Sequence, residues 1–369
     1  MKKIGIITFH RAHNFGAMLQ AFALQTKLSE QYQVEIIDYR STYEERKYLG
    51  NRSIKEAIKN CLRWLIKPKM MHGKYTKKRH FGDFINNYLV VSSESYDESS
   101  IEEASDRYDL IISGSDQVWN PVITHGDLNY FLKFAPEKKR YSYAASFGGN
   151  QVLESPLRED ISQLLCTFQS LLLREKNGLD ILMKLQIETR LNPAVVCDPV
   201  FLLTRDEWIS NLQLKKSEDR YILLFIVSET KYAVSCAKKL SEKTGLPVRY
   251  INSYSSYKDV PKWCESYMNV GPKQFLELLM NAEYVIASSF HGMALSIVFN
   301  KQFFYELNHS SDNTNDRLIS LAERFELGDR EIKSDSDIVK KEIDYDAVNS
   351  KMKSYREYSE RALANTLYE

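Results

Sequence analysis

The sequence is poor in the features that would place it in several large classes. Its 369 residues include only five cysteines, Cys61, Cys166, Cys197, Cys236 and Cys264. They are odd in number, far apart, and never form a C-x-x-C pair, so neither a disulfide framework nor a cysteine zinc site is indicated. Free thiols in a reducing compartment are the simpler reading. Net charge is also missing: 50 Lys plus Arg stand against 49 Asp plus Glu. A general nucleic-acid binder carries a marked basic excess, and this chain has none. No run approaches the ~20 apolar residues of a membrane-spanning helix. The opening MKKIGIITFHRAHNFG is basic, then apolar, yet its apolar run is short and no small-residue cleavage pattern follows. The expectation is a soluble cytoplasmic protein. The histidines outside the loop at 291 (His10, His13, His72, His80, His125 and His309) show no ligand spacing, and no metal site is expected. No internal repeat or low-complexity tract is present.

What is present is an alternation of short apolar runs and helical patterns. IGIITF reads as a strand, residues 10–16 as a polar loop, and AMLQAFALQTKLSE as a helix with Met18, Phe22, Leu24 and Leu28 at helical spacing. VEIIDY is the next strand. This order predicts a parallel pair with a right-handed crossover. DLIISGS, YSYAAS, LLLREK and PAVVCDP continue the strand series. The polar stretch RDEWISNLQLKKSEDR then separates it from a second series: YILLFIV, a helix ending at Gly245, LPVRYI, a helix starting at Pro272, YVIAS, MALSIVFN and QFFYE. A long polar-faced helix closes the chain. The predicted fold is α/β, with two Rossmann-like domains of glycosyltransferase-B type: residues 1–205, on the acceptor side, and 218–345, on the donor side. The C-terminal helix, 346–369, is expected to pack back on the N-terminal domain. In such folds, ligands bind at the carboxyl ends of the strands.

Residues 52–80 stand apart, with ten Lys or Arg and one acid, Glu56. That is +9 in a chain of +1, leaving −8 for the remainder. Ile58, Leu62, Leu65 and Ile66 lie near helical spacing, with Trp64 and Met70 adding bulk. One reading is a helix in an anionic membrane surface. The other is a core-facing helix with a solvated basic face.

Three loops carry residues suited to chemistry. In the first, His13, Asn14 and Gly16 precede a helix whose N-terminus can meet an anion or sugar hydroxyls. A plain turn capped by Asn14 is the alternative. In the second, SGSDQVWNP, Asp116 projects from a strand end. It can act as a general base toward a hydroxyl, or simply cap the next turn. In the third, SSFHG, Ser288, Ser289 and Gly292 can cradle a phosphate, and His291 can pair with it or pass it a proton. The alternative is a structural histidine. Arg174 and Arg317 can grip a carboxylate or phosphate in a fork, or form ordinary ion pairs, as can Arg330.

Taken in order, HNFGAMLQAFAL, DLIISGSDQVWNP, YSYAASFG, LLLREK, VVCDPVFLL and ASSFHGMALSIVFNKQFF resemble the polysaccharide pyruvyl transferase family, and NDRLISLAERFELGDR extends the match. Many members carry an arginine two residues before the His-Gly, where this chain has Ser289. The S-F-H-G form resembles a branch found in bacterial surface-polysaccharide clusters. The resemblance implies transfer of pyruvate, as a ketal, from phosphoenolpyruvate to a sugar, with release of phosphate. It assigns His291 and Asp116 as catalytic. Ser288, Ser289, Gly292, Arg174 and Arg317 fall to the donor, with Arg317 or Arg174 replacing the lost charge. His13, Asn14, Gly16, Trp119 and Asn120 fall to the acceptor. No cofactor is implied, since phosphoenolpyruvate is a substrate. The partners implied are phosphoenolpyruvate and a lipid-linked sugar; on the membrane-surface reading of residues 52–80, that sugar is met at the inner face of the cell membrane. The rival readings are a nucleotide-sugar glycosyltransferase and a non-catalytic membrane-docking module.

Overall fold

A computed structural model describes residues 1–43, 66, 68–187, 193–252, 260–267, 269–309, 315–335 and 342–368. The chain divides into two compact units. One comprises Met1–Glu56, Ile85–Leu202 and Ser354–Glu369; the other comprises Ala57–Phe84 and Leu203–Lys353. Each is built on a parallel sheet, so the architecture is the α/β one that the alternation of runs predicts.

In the first unit the described strands are β1 (Lys3–Ile7), β2 (Gln33–Tyr39), β3 (Val91–Tyr96), β4 (Leu110–Ser113), β5 (Arg140–Ala145), β6 (Ser170–Leu173) and β7 (Ala194–Val195). They lie in the order β3-β2-β1-β4-β5-β6-β7, all parallel. The order reverses between β1 and β4, which opens a crevice at their carboxyl ends. Helix α1 (Phe15–Leu28) crosses from β1 to β2, and 12 of its 14 residues are buried. Its sequence pattern suggests one apolar face. The small residues Gly16, Ala17, Ala21 and Ala23, together with two buried glutamines, let the other face be enclosed as well. Gln25, for example, bonds through its side chain to the backbone of Val34 and Val90.

Helix α2 (Pro68–Tyr88) takes in the later part of the basic stretch. The residues Ile58, Leu62, Trp64 and Leu65 of the membrane-surface reading lie outside the described residues. Ile66 is exposed, and in the described part Phe81 and Phe84 are buried. The His80 ring bonds to the Asn269 carbonyl at 2.7 Å, within the second unit. Helices α3 (Arg158–Leu165) and α4 (Lys176–Lys184) flank β6 in sequence.

The longer segment of the second unit begins with α5 (Arg205–Leu212), started by a capping box between Thr204 and Glu207. Its described strands are β8 (Ile222–Ile226), β9 (Val248–Asn252), β10 (Glu265–Ser266), β11 (Tyr284–Ala287) and β12 (Gln302–Tyr305). Their order, β10-β9-β8-β11-β12, is also parallel and reverses between β8 and β11. The helices are α6 (Ala233–Thr244), α7 (Pro272–Asn281), α8 (Phe290–Val298) and α9 (Asp316–Phe325). Helix α10 (Tyr345–Tyr368) ends the chain, and its part from Ser354 belongs to the first unit. There Tyr355 donates to the Val196 carbonyl, Ser359 accepts from the Cys197 amide, and Lys27 pairs with Glu360, each at 2.9 Å. The C-terminal helix thus packs back on the N-terminal unit. Among the described residues, no helix is long and apolar enough to cross a membrane.

The central strand β1 depends on a missing side chain. A Cβ at Gly5 would lie 2.8 Å from the Tyr108 ring and 2.9 Å from Ile37. Gly5→Ala is therefore expected to lower stability by about 1–3 kcal/mol, the usual range for overpacking. Urea unfolding measures this, and an unchanged midpoint would show that Tyr108 can move aside.

Candidate active site

At the carboxyl edge of the first sheet, four strand ends converge on one guanidinium. Arg174 follows β6 directly, and its side chain is only 2% exposed. Its Nη1 lies 3.1 Å from Asp198 and 3.7 Å from Asp116, and its Nε 3.3 Å from Glu175. Burial alone would make the guanidinium easier to deprotonate, but the carboxylates of Glu175, Asp198 and Asp116 outweigh it and raise its pKa. Ser115 donates to Asp198 at 3.1 Å, and Ser146, after β5, donates to Glu175 at 2.5 Å. Asp116 sits at φ 78°, a left-handed conformation uncommon for a residue with a side chain. It is held there by the Ser146 amide, which donates to its carbonyl at 3.1 Å. Its carboxylate also accepts from the Gln117 amide at 2.9 Å. The capping and catalytic readings of Asp116 are therefore compatible, since one oxygen serves the turn while the group stays beside Arg174.

The sequence put Arg174 with the donor residues. The structure places it with Asp116 in the first unit, matched by three acids, whereas Ser288 to Gly292 belong to the second. The other first-unit candidates differ in what they present. Asn14 caps α1, its Oδ1 accepting from the Ala17 amide at 3.2 Å, and is exposed; His13 is half-buried, and Gly16 is buried in the first turn. Asn120 is buried, and its Oδ1 accepts from the Val122 amide at 3.0 Å. Trp119 is fully buried. It stacks on Phe131 at 5.5 Å, and its indole N–H donates to Ser113 Oγ at 3.0 Å and to the Tyr130 carbonyl at 3.1 Å. An acceptor contact by Trp119 is excluded in this arrangement, because its ring is core.

Two features of the same edge escaped the sequence reading. Asp38, at the end of β2, is buried and receives the His10 ring at 3.1 Å, Arg40 at 2.9 Å, Ser95 at 2.5 Å, and Arg11. Burial works against its ionisation, but these donors hold its carboxyl well below the usual carboxylate range. Nearby, a cavity of about 560 Å³ is lined by Thr42, Tyr43, Glu98, His125, Asp127 and Asn129, among others. The Tyr43 and His125 rings lie 3.5 Å apart. Tyr39 donates to Asp127 at 2.6 Å, and burial raises the Asp127 pKa. The turn signal His125-Gly126-Asp127, with His125 and Gly126 at positive φ, was the available clue.

In the second unit, the loop Ser288–Gly292 joins β11 to α8. Ser288 Oγ accepts from the amides of Val227 at 3.0 Å and Ser228 at 3.3 Å. Ser289 caps α8 by accepting from the Gly292 amide at 3.0 Å. A Cβ on Gly292 would fall 2.9 Å from Ala287 and 3.0 Å from Phe225, so glycine lets the helix start this close to the sheet. His291 lies in the first turn, 9% exposed. Arg317 is half-buried at the start of α9. Ser288, Ser289, His291 and Gly292 thus share one junction at the switch point between β8 and β11, where a helix N-terminus suits an anion.

The Asp38 cluster gives a stability prediction. Its folded-state pKa is depressed, so its contribution is full above the unfolded value near ~4 and is lost as pH falls below it. Asp38→Asn leaves His10, Arg11 and Arg40 without their carboxylate, and is expected to cost about 3–5 kcal/mol at pH 7. The gap to the parent protein should narrow between pH 5 and pH 2, as urea unfolding across that range would show. A constant gap would mean that the carboxylate charge contributes nothing.

Comparison with known proteins bears on both the fold and the family. No curated protein matches the chain in sequence. Among solved structures, it is similar to the UDP-GlcNAc 2-epimerase of Methanocaldococcus jannaschii in complex with UDP-GlcNAc and UDP. That match has a TM-score of 0.54 and 15% identity, and covers 100% of each chain. A Listeria monocytogenes protein described as a UDP-N-acetylglucosamine 2-epimerase matches with a TM-score of 0.52 and 9% identity, over 96% of this chain and 90% of that one. At these identities the likeness supports the two-domain, glycosyltransferase-B-like fold and nothing about ligands. The family model described as polysaccharide pyruvyl transferase matches residues 14–310, a span that takes in Asp116, Arg174 and the whole Ser288–Gly292 junction. The chain belongs to the polysaccharide pyruvyl transferase family.

Proposed function

We propose that the protein forms a pyruvate ketal on a sugar of a surface-polysaccharide precursor, with phosphoenolpyruvate as donor. The family match supports the pyruvyl chemistry. The observation that carries the mechanism is Asp116, held at positive φ at a sheet switch point with Arg174 beside it. In the reaction, the donor's methylene carbon takes a proton and its central carbon becomes electrophilic. A sugar hydroxyl adds there and gives its proton to a base. The carbon–oxygen bond to phosphate then breaks, and a second hydroxyl closes the ketal. One proton enters at carbon and two leave the hydroxyls; the surplus proton goes to the departing phosphate, so the products are the ketal and hydrogen phosphate. Asp116 takes the hydroxyl proton. Arg174, fixed by Glu175 and Asp198, keeps the carboxylate oriented between turnovers. His291, with the backbone at the start of α8, meets the donor phosphate, and Arg317 adds charge.

The acceptor sugar sits in the first unit, with His13 and Asn14 at its edge and the cavity of Tyr43, His125 and Asp127 receiving it. Carboxylates that accept from hydroxyls, beside an aromatic face, are the groups a saccharide uses. The nucleotide-sugar reading rests on a likeness of fold, which does not carry ligand identity.

Four measurements test this. Asp116→Asn keeps a residue type that tolerates positive φ; it is expected to bind phosphoenolpyruvate within about threefold of the parent and to lose ~10²–10⁴ of ketal formation. Retained turnover would remove Asp116 as base. His291→Ala should lower turnover by a similar ~10²–10⁴ factor with little change in melting temperature; near-normal activity would take His291 out of the site. His125→Ala should raise KM for the acceptor while leaving KM for phosphoenolpyruvate unchanged, and the reverse pattern would move the acceptor elsewhere. Mass spectrometry of lipid-linked sugars incubated with phosphoenolpyruvate reports the gain of one pyruvate ketal.

A further inference from the structure

The second unit holds a carboxylate that the mechanism above does not use. Glu306 follows β12 and is 0% exposed. Its oxygens accept from the amides of Lys231 at 2.6 Å, Tyr232 at 3.1 Å and Ala233 at 2.6 Å, at the start of α6. It therefore fills that helix N-terminus with the protein's own anion. Glu306 also receives the His309 ring, Nε2 to Oε1, at 2.9 Å. The His309 side chain is 50% exposed, so the dyad runs from a buried carboxylate to a ring at the surface.

Its position follows from strand register. Ala287 and Tyr305 are paired on β11 and β12, and the Glu306 amide donates to the Ala287 carbonyl at 3.1 Å. The next residue on β11 is Ser288. The turns after β8, β11 and β12 are thereby tied together, through Ser288 Oγ to residues 227 and 228 and through Glu306 to residues 231–233. His309 stands on the same sheet edge as the Ser288–Gly292 junction. That junction contains no lysine or arginine, yet phosphoenolpyruvate carries about three negative charges at neutral pH. The titratable groups that face the His309 ring include Glu306 beneath it and Tyr232 edge-on at 6.3 Å, and the Lys231 Nζ lies 5.0 Å from the Tyr232 ring.

We infer that His309, held by Glu306, is an anion-binding residue of the donor site and presents an imidazolium to phosphoenolpyruvate. The inference rests on the donor reading above. Glu306 is a positioning residue: by holding Nε2 it fixes which ring nitrogen faces inward and leaves the Nδ1 side of the ring for the donor. No bond is made or broken by His309 in this role.

The test is phosphoenolpyruvate binding by calorimetry, from pH 6 to pH 9, to the full chain and to His309→Asn and His309→Arg. Because the ring is half exposed, both variants should keep the parent's melting temperature. At pH 6 the Asn variant should bind about tenfold more weakly, a loss of about 1.4 kcal/mol. That ratio should approach one by pH 9, as the parent's imidazolium is lost. His291 and the ligand's own ionisation are common to both proteins and cancel in the ratio. The Arg variant should bind at pH 8 at least as well as the parent. Parent and Asn variant tracking each other at every pH would overturn the inference and leave the donor reading standing. A parent protein that binds no phosphoenolpyruvate at millimolar concentration would overturn the donor reading, and this inference with it.

Discussion

A buried guanidinium cannot exchange its partners for water, and that constraint organises the first unit. Arg174 is matched by acids that arrive from three strand ends: Asp116 after β4, its own neighbour Glu175 after β6, and Asp198 after β7. The end of β5 joins through Ser146, which bonds to both Glu175 and the Asp116 backbone. Removing one member would leave charge stranded in a poorly solvated place, a loss of several kcal/mol in typical buried pairs. The cluster is therefore a tie across consecutive strands as well as a setting for Asp116. Its unusual backbone conformation persists because the surroundings over-determine it.

The two sheet edges offer different chemical groups. The first is rich in carboxylates, and suits removal of protons from hydroxyls. The second offers hydroxyls, backbone amides and imidazoles around a helix N-terminus, and suits an anion. Both edges lie at points where strand order reverses, between β1 and β4 and between β8 and β11. A similar reversal of strand order, used twice, carries different chemical groups because the residues just beyond the strands differ.

The strands and most helices were legible because each is a short apolar run or a periodic pattern bounded by turn residues. The loops following them were legible as candidate sites for the same reason. Partnerships were not. Residues 116, 174 and 198 are far apart in sequence, and only the order β4-β5-β6-β7 brings their strand ends together. The resemblance put Trp119 with the acceptor residues, yet Phe131, Phe147 and Phe168 pack around it, and these arrive from separate elements. Asp38 gave no signal, since its donors come from the turns after β1 and β2 and from β3. Glu306 and His309 are visible as an i, i+3 pair, but the burial of the glutamate depends on residues 231–233 reaching it.

That burial also bears on how long an anion stays. A helix N-terminus left open would compete for any phosphate released beside it and slow its escape. Here the start of α6 is permanently occupied by a tethered carboxylate that never dissociates. On the donor reading proposed above, a departing phosphate is thus denied the start of α6 as a second resting place on this edge.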